Sequence, residues 1–436
     1  MRRFLLVSLH IEAILGEVTI RQRRKKLKEM TEGNGLGDAY TETLARVKAQ
    51  KGNKSIFGLK VLMWVLYSER PLRTQELCHA LGVELGSTDL DLENVPALRT
   101  LLAASLGLVT VEASSSTVRL VHFTLQEHLL SDSTLFHSPH STIAEVCLTY
   151  LNFRCVWSLS PTLQSAPATM PLLEYASFYW GEHTGRGTTD NAKILALGLL
   201  EKFDEHISAQ LILLPHNRST IFAPYFDSEK GPIGFTGLHG AAFLGCVEIF
   251  AAVLEMKEWG VNARDNASCT PLIWAAVKGH EEVVKKLLER GDVNTDLADH
   301  NLGRTPLVWA VWQGHERVVK AFLEQEGVNL GQTNTGGTPL FWAAALEREG
   351  IVKMLLEREN IDPNQAPIGY GITPLTTAVR NGNEGIVKMF LERGDVNPNL
   401  ADTKDGHTPL SYAAMIGREG IVKMLLERND IGLDTR

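Results

Sequence analysis

The chain holds 14 His and 51 Asp and Glu residues, so side chains able to bind metals or move protons are plentiful. Their spacing is not that of a reaction centre. No H-E-x-x-H, G-x-S-x-G or Cys/His constellation occurs. His280 and His315 each follow a Gly in the same phase of a repeat, which gives them a structural place; His122, His128 and His137 lack ligand spacing. Cys78, Cys147, Cys155, Cys246 and Cys269 are scattered and odd in number. That usage fits a reducing compartment, and the expected location is cytoplasmic. A phosphate loop needs Gly-rich backbone and a Gly-Lys pair followed by Ser or Thr. Gly52-Asn53-Lys54-Ser55 lacks that pair, the upstream Gly and the preceding strand. Gly33-Asn34-Gly35-Leu36-Gly37 follows no apolar strand, so it is no dinucleotide fingerprint. Both read as turns. No catalytic residue, metal ligand or cofactor is expected, nor any affinity for ATP.

What the sequence does supply is periodic. Thr270-Pro271-Leu272 returns as Thr305-Pro306-Leu307, Thr338-Pro339-Leu340, Thr373-Pro374-Leu375 and Thr408-Pro409-Leu410, after a worn first copy at Thr236-Gly237-Leu238-His239. The steps are 34, 35, 33, 35 and 35 residues. A period of this length marks stacked units with a long lateral surface. In each unit Thr caps a first helix and Pro suits its first turn, because the N–H that Pro lacks would have no helical partner there. Gly245, Gly279, Gly314, Gly382 and Gly417 end that helix. A second run comes after it with apolar residues at helical spacing, as at Val283, Val284, Leu287 and Leu288.

This plan resembles the ankyrin repeat over residues 234–436. Two departures stand out. Glu347 replaces the inter-helix Gly of the fourth unit, which predicts strain there. The family's His after Thr-Pro-Leu survives only as His239; Ile273, Val308, Phe341, Thr376 and Ser411 replace it. Glu349–Arg358 and Glu419–Arg428 are identical decamers, and Glu384–Arg393 differs only at Phe390. Core filling alone does not require such identity, and unit duplication accounts for it.

Stacked repeats of this kind bind proteins or peptides, and the sequence offers a stripe for that. Phe243, Lys278, Trp312, Leu346, Arg380 and Met415 fall near the end of successive first helices; Arg304, Tyr370 and His407 fall on the hairpin tips. Exposed aromatic, Arg and Met side chains suit a partner surface. The competing reading packs part of the stripe between units, as expected for Trp274, Trp309 and Trp342. The last repeat keeps the apolar pattern of internal copies, so self-association or fraying is expected at that end.

The first half reads as another module. Helices are expected over residues 38–50, Ile56–Tyr67, Gln75–Leu81 and Val95–Leu106, then strands Leu108–Glu112 and Thr117–His122, then a helix from Thr124. Helices followed by a hairpin is the winged-helix order. Only Arg99 and Arg119 lie where DNA would be read, and the net charge is −8. No nucleic-acid partner is expected. Ile143–Leu151, Leu172–Trp180 and Ala192–Phe203 read as connector helices covering the open end of the first repeat, with a hinge at 214–233. At the N-terminus, Leu5, Leu9, Ile11, Ile14 and Leu15 suit a buried helix. The basic run Arg21–Lys28 suits a solvated helix face. No stretch of 18 apolar residues occurs, so no membrane span is expected.

Arg70-Pro71-Leu72 with Glu76–Leu81, Val121–Glu127, and Leu173-Glu174-Tyr175-Ala176 with Tyr179-Trp180 resemble the segment after the ATPase in fungal NACHT-type NOD-like receptors. Arg3–Val7 resembles the tail of that ATPase. The resemblance implies the sensor half of a signalling receptor; the nucleotide switch does not carry over, because the phosphate loop is missing. The expected fold is mainly α: a helical remnant at 1–37, a winged-helix-like domain at 38–138, a helical connector at 139–233 and an α-solenoid of about six units at 234–436. The leading expectation is a non-enzymatic recognition scaffold. The alternatives are a fragment of an ATP-dependent receptor and a winged-helix DNA-binding regulator.

Overall fold

The computed structural model describes residues 18–31, 36–217, 232–256, 259–300, 302–331, 337–369 and 371–432. The expected helix over residues 5–15, the glycine-rich turn at 33–35 and most of the 214–233 hinge lie outside these residues. The described part is mainly helical. It divides into two compact units. One runs up to Leu199 and includes His206–Leu214; the other holds Leu200–Glu205 and Pro215–Arg436.

The first unit opens with α1 (Ile20–Thr31), where Arg21, Arg24 and Lys25 are exposed, as a basic helix face requires. It continues with α2 (Leu36–Lys48), α3 (Lys54–Tyr67), α4 (Thr74–Gly82) and α5 (Leu98–Ala104). Gly52 turns at φ +61° and α3 begins two residues later, so the Gly52–Ser55 stretch is a turn into a helix. The helix expected from Val95 starts instead at Leu98, because Pro96 keeps Val95 extended. Left-handed Leu106 and Gly107, at φ +46° and +81°, lead into the hairpin.

The hairpin pairs β1 (Val109–Glu112) with β2 (Thr117–Leu120) in antiparallel register, Val109 opposite Leu120. A third segment joins it: the N–H of Val118 donates to the Leu72 carbonyl at 2.8 Å, and that of Thr74 to the Ser116 carbonyl at 3.0 Å. Three helices with this small sheet form a winged helix. It is followed by α6 (Phe123–Ser131), α7 (Pro139–Leu151), α8 (Arg154–Trp157), α9 (Leu172–Arg186), α10 (Asp190–Glu201) and α11 (Ile207–Asn217), of which α6, α7 and α9 pack on it. Trp64, Tyr150, Tyr175 and Trp180 fill the core. Glu76, itself buried, caps α4 by accepting from the Arg73 N–H at 2.7 Å and from both guanidinium nitrogens of Arg70.

The second unit is the repeat array. Its first helices are Gly237–Leu244, Pro271–Lys278, Pro306–Gln313, Pro339–Ala345, Pro374–Asn381 and Pro409–Met415. Its second helices are Val247–Glu255, Glu281–Leu288, Glu316–Glu324, Glu349–Leu356, Glu384–Leu391 and Glu419–Leu426. The Thr hydroxyls of repeats two to six accept from the N–H three residues on, at 3.0–3.4 Å. At the other end, left-handed geometry is needed, and Gly314 takes it at φ +81°. Glu347 takes it at φ +57°, the strain expected of a side chain there.

The ends of the array are tied differently. Leu200 and Phe203 lie so close to Gly237 and Gly240 that a Cβ at either glycine would approach them within 2.1 and 2.5 Å. His239 bridges the next hairpin, with Nε2 at 3.1 Å from the Ala263 carbonyl and 3.2 Å from that of Cys269. Burial pushes it down to about 4, so it is neutral.

Candidate functional site

The candidate stripe is built by the inner ends of the first helices and the hairpins before them. Three of the hairpins are each held by a buried Asp. Asp299 accepts from the N–H of Leu302 at 2.8 Å and of Arg304 at 3.0 Å, and from the Trp309 indole at 3.0 Å. Asp265 holds Trp274 in the same way at 2.8 Å, and Asp402 accepts from the Tyr412 hydroxyl at 3.2 Å. Burial dominates at Asp265 and pushes its carboxyl up to about 6. At Asp402 burial also pushes up, but the N–H groups of Asp405, His407 and Lys404 outweigh it and hold the carboxyl at about 2. The signal that could have revealed these anchors is the Asp that recurs five or six residues before each of these Thr.

These anchors decide where the expected binding residues go. Arg304 is not on an exposed hairpin tip: it is only 5% exposed. The turn that Asp299 fixes directs its guanidinium over Trp312, with Cζ 3.5 Å from the ring centre. Trp309 and Trp342 lie 4.8 and 5.1 Å away. Trp312 is half-buried, and its ring meets Trp342 edge to face at 4.5 Å. Phe243 likewise is buried, not exposed, because it packs on Trp274 at 5.5 Å. The Lys278 ammonium covers it at 4.6 Å. Such contacts contribute roughly 0.5–2 kcal/mol each, more when water is excluded.

Towards the last repeats the stripe opens. Leu346 is half-buried, Arg380 is exposed and Met415 is 61% exposed. Arg380 leans over the Tyr412 ring at 5.4 Å, and His407 meets the same ring at 5.3 Å. Tyr370 lies outside the described residues. The structure therefore brings together Phe243 with Lys278, Arg304 with Trp312, and Arg380 with His407. Leu346 and Met415 lie at neighbouring positions of their own repeats, eight and seven residues after the Thr, and the counterpart of Leu346 is Ile416.

The opposite edge explains the near-identical decamers. Arg393 donates to the carbonyls of Leu356 and Arg358 in the preceding repeat, at 2.5 and 3.1 Å, while Asp395 holds its other nitrogens. Arg428 does the same to Leu391 and Arg393, at 2.9 and 3.1 Å, with Asp430. The Gly of each decamer also receives a Glu from the repeat before: Glu316 lies over Gly350, Glu349 over Gly385 and Glu384 over Gly420. Core filling did not require the identity of these positions, but the joints between repeats constrain the Glu, Gly and Arg.

An α-solenoid of helix pairs, capped by Thr-Pro and joined by hairpins, is the architecture of an ankyrin array. The chain belongs to the ankyrin-repeat family, whose description matches residues 207–299, 293–367 and 361–435, together more than half of its length. Residues 44–141 match the winged helix domain of GPI inositol-deacylase. Among solved structures, an ankyrin repeat domain from Acinetobacter baumannii shares 29% identity, covering 43% of this chain and 95% of its own, with a TM-score of 0.39. The ankyrin repeat domain of Bcl-3, of the IkappaB protein family, shares 25%, covering 46% of this chain and 88% of its own, with a TM-score of 0.42. No curated protein matches the chain. Among the described residues, no helix is long and apolar enough to cross a membrane.

Proposed function

We propose that this chain is a non-enzymatic recognition protein whose repeat array holds a protein or peptide ligand along the stripe from Lys278 to Met415. The observation that carries this reading is half-buried Trp312, held in place by buried Arg304 and Trp342 and continued along the stripe by exposed Arg380 and Met415. A fixed aromatic and guanidinium surface loses little entropy on binding, and such residues dominate interface energies. The organisation that goes with it is a winged-helix-like segment at 38–138, a connector at 139–233 and the array from 234. A winged helix followed by ankyrin repeats supports a place as the sensor half of a NOD-like-receptor-type signalling protein in the cytoplasm. The DNA-binding reading is disfavoured, because Arg119 is paired with Glu112 at 3.0 Å and leaves Arg99 little company. Exposure of Met415, Ile416 and Leu426 supports self-association through the last repeat as a secondary property.

The test is affinity capture with the full chain beside two variants, Trp312→Ala and Arg380→Glu. A ligand on the stripe is retained by the parent and lost or weakened at least ~10-fold by each variant, as at interface hot spots. A partner captured equally by all three proteins would place the binding surface elsewhere.

A further inference from the structure

Away from the array, three side chains converge within the first unit without any sequence motif to announce them. Glu69 lies just beyond the end of α3, His140 in the first turn of α7 and His183 in the last turns of α9. One ligand atom from each lies within 4.8 Å of the others. The two Nδ1 atoms of His140 and His183 stand 2.9 Å apart. At that distance one ring donates and the other accepts, so the pair shares one proton and at least one lone pair faces inward. His183 is fully buried, while His140 and Glu69 are partly open to solvent. A cation therefore has an approach from one side only.

The surroundings hold this geometry from outside. Nε2 of His183 lies 2.9 Å from the Tyr175 hydroxyl, which also accepts the Glu69 N–H at 3.1 Å. With Tyr175 accepting from Nε2–H, the lone pair of His183 sits on Nδ1 and points at His140. An oxygen partner on the far nitrogen is the usual device that fixes the tautomer of a metal-binding His. Tyr67 stacks its edge on the His140 ring at 5.4 Å and limits its rotation. Glu69 is bound by both terminal nitrogens of Arg186, Nη1 to Oε1 and Nη2 to Oε2 at 3.2 Å. Arg186 is the chief competitor for a cation. A carboxylate has two oxygens, however, so one can turn to a metal while Arg186 keeps the other.

We propose that Glu69, His140 and His183 form a binding site for a divalent transition-metal ion of the zinc class. Two imidazoles and one carboxylate favour zinc or its neighbours over magnesium or calcium, which take oxygen ligands. Zinc–nitrogen bonds of about 2.0–2.1 Å require the two nitrogens to part by only a few tenths of an ångström. As the ion enters, the proton shared between the two Nδ1 atoms moves by way of solvent to Nε2 of His140, so that both rings stay neutral and each offers Nδ1 to the metal. The fourth position stays with water on the open side of His140. Such an ion ties α7 to α9 and both to the end of α3, which are distant in sequence. Its role is a clamp on the first unit, independent of ligand binding by the array.

The experiment uses the full chain, stripped with a chelator and dialysed. ZnCl2 is titrated in competition with a chromophoric chelator, and CoCl2 in parallel by visible absorption. The parent should take up one Zn2+ per chain and give the intense d–d bands of four-coordinate Co2+. His140→Gln and Glu69→Gln, with their folding checked by circular dichroism, should each bind at least ~10-fold more weakly. Tyr175→Phe, which keeps the ring but loses the hydroxyl, should weaken binding through the orientation of His183. A parent that binds no stoichiometric Zn2+, or binds it as tightly as both ligand variants do, overturns the site.

Discussion

At the scale of single residues, the backbone conformation at each inter-helix turn sets most of the cost. Gly314 sits at φ +81°, and a Cβ there would lie 3.0 Å from the Arg348 guanidinium carbon. Gly314→Val therefore meets both a disfavoured left-handed backbone and a neighbouring repeat; the backbone part alone costs roughly 1–2 kcal/mol. Glu347 is exposed and already carries that strain at φ +57°. Glu347→Gly should release it, gaining up to about 1 kcal/mol after the entropy that Gly adds to the unfolded chain is subtracted. Thermal melts should thus move in opposite directions, down for Gly314→Val and up for Glu347→Gly. A lower melting temperature for Glu347→Gly would contradict the equivalence of the two turns.

At the scale of elements, the fifth and sixth repeats are each fastened to the one before by one Arg. The last carbonyls of a helix have no partner within the helix. Arg393 supplies donors to Leu356 and Arg358, held in place by Asp395. Arg393→Ala should leave those carbonyls to water and cost about 1–2 kcal/mol, by the usual worth of a charge-assisted hydrogen bond. Arg290, in an earlier repeat, pairs with Asp292 at 2.7 Å at the corresponding place but is more exposed. Urea unfolding should therefore show a larger loss for Arg393→Ala than for Arg290→Ala. Equal losses would mean that the ion pair, and not the carbonyl cap, is what stabilises the joint.

At the scale of the whole molecule, the two units obey different rules. The first has a closed core around large aromatic side chains; the array is a sum of layers whose stability depends on their neighbours. In the third repeat Val319 and Leu323 are buried. Their counterparts in the last repeat, Val422 and Leu426, are partly exposed, Leu426 to 50%. Hydrogen exchange should accordingly be faster in helices Pro409–Met415 and Glu419–Leu426 than in Pro306–Gln313 and Glu316–Glu324. Equally slow exchange in a demonstrated monomer would show that contacts other than these apolar ones protect the last layer.

Much of this was legible in the order of residues because its signals are local. Thr-Pro caps, left-handed glycines and helical spacing act over a few residues, and their return at a fixed step defined the array. The hairpin after three helices likewise marked the winged helix. Even the strain at Glu347 followed from a single substitution in a repeated frame. Which side of a layer a side chain joins was not legible. Arg304 and Phe243 looked exposed because their phase lay near a surface, yet a buried Asp299 turns one inward and Trp274 covers the other. The sequence could not bring Glu69, His140 and His183 together, since 71 and 43 residues separate them. Periodicity speaks only for neighbours along the chain; distances across a packed core depend on how whole helices settle against one another, and the tertiary structure alone decides them.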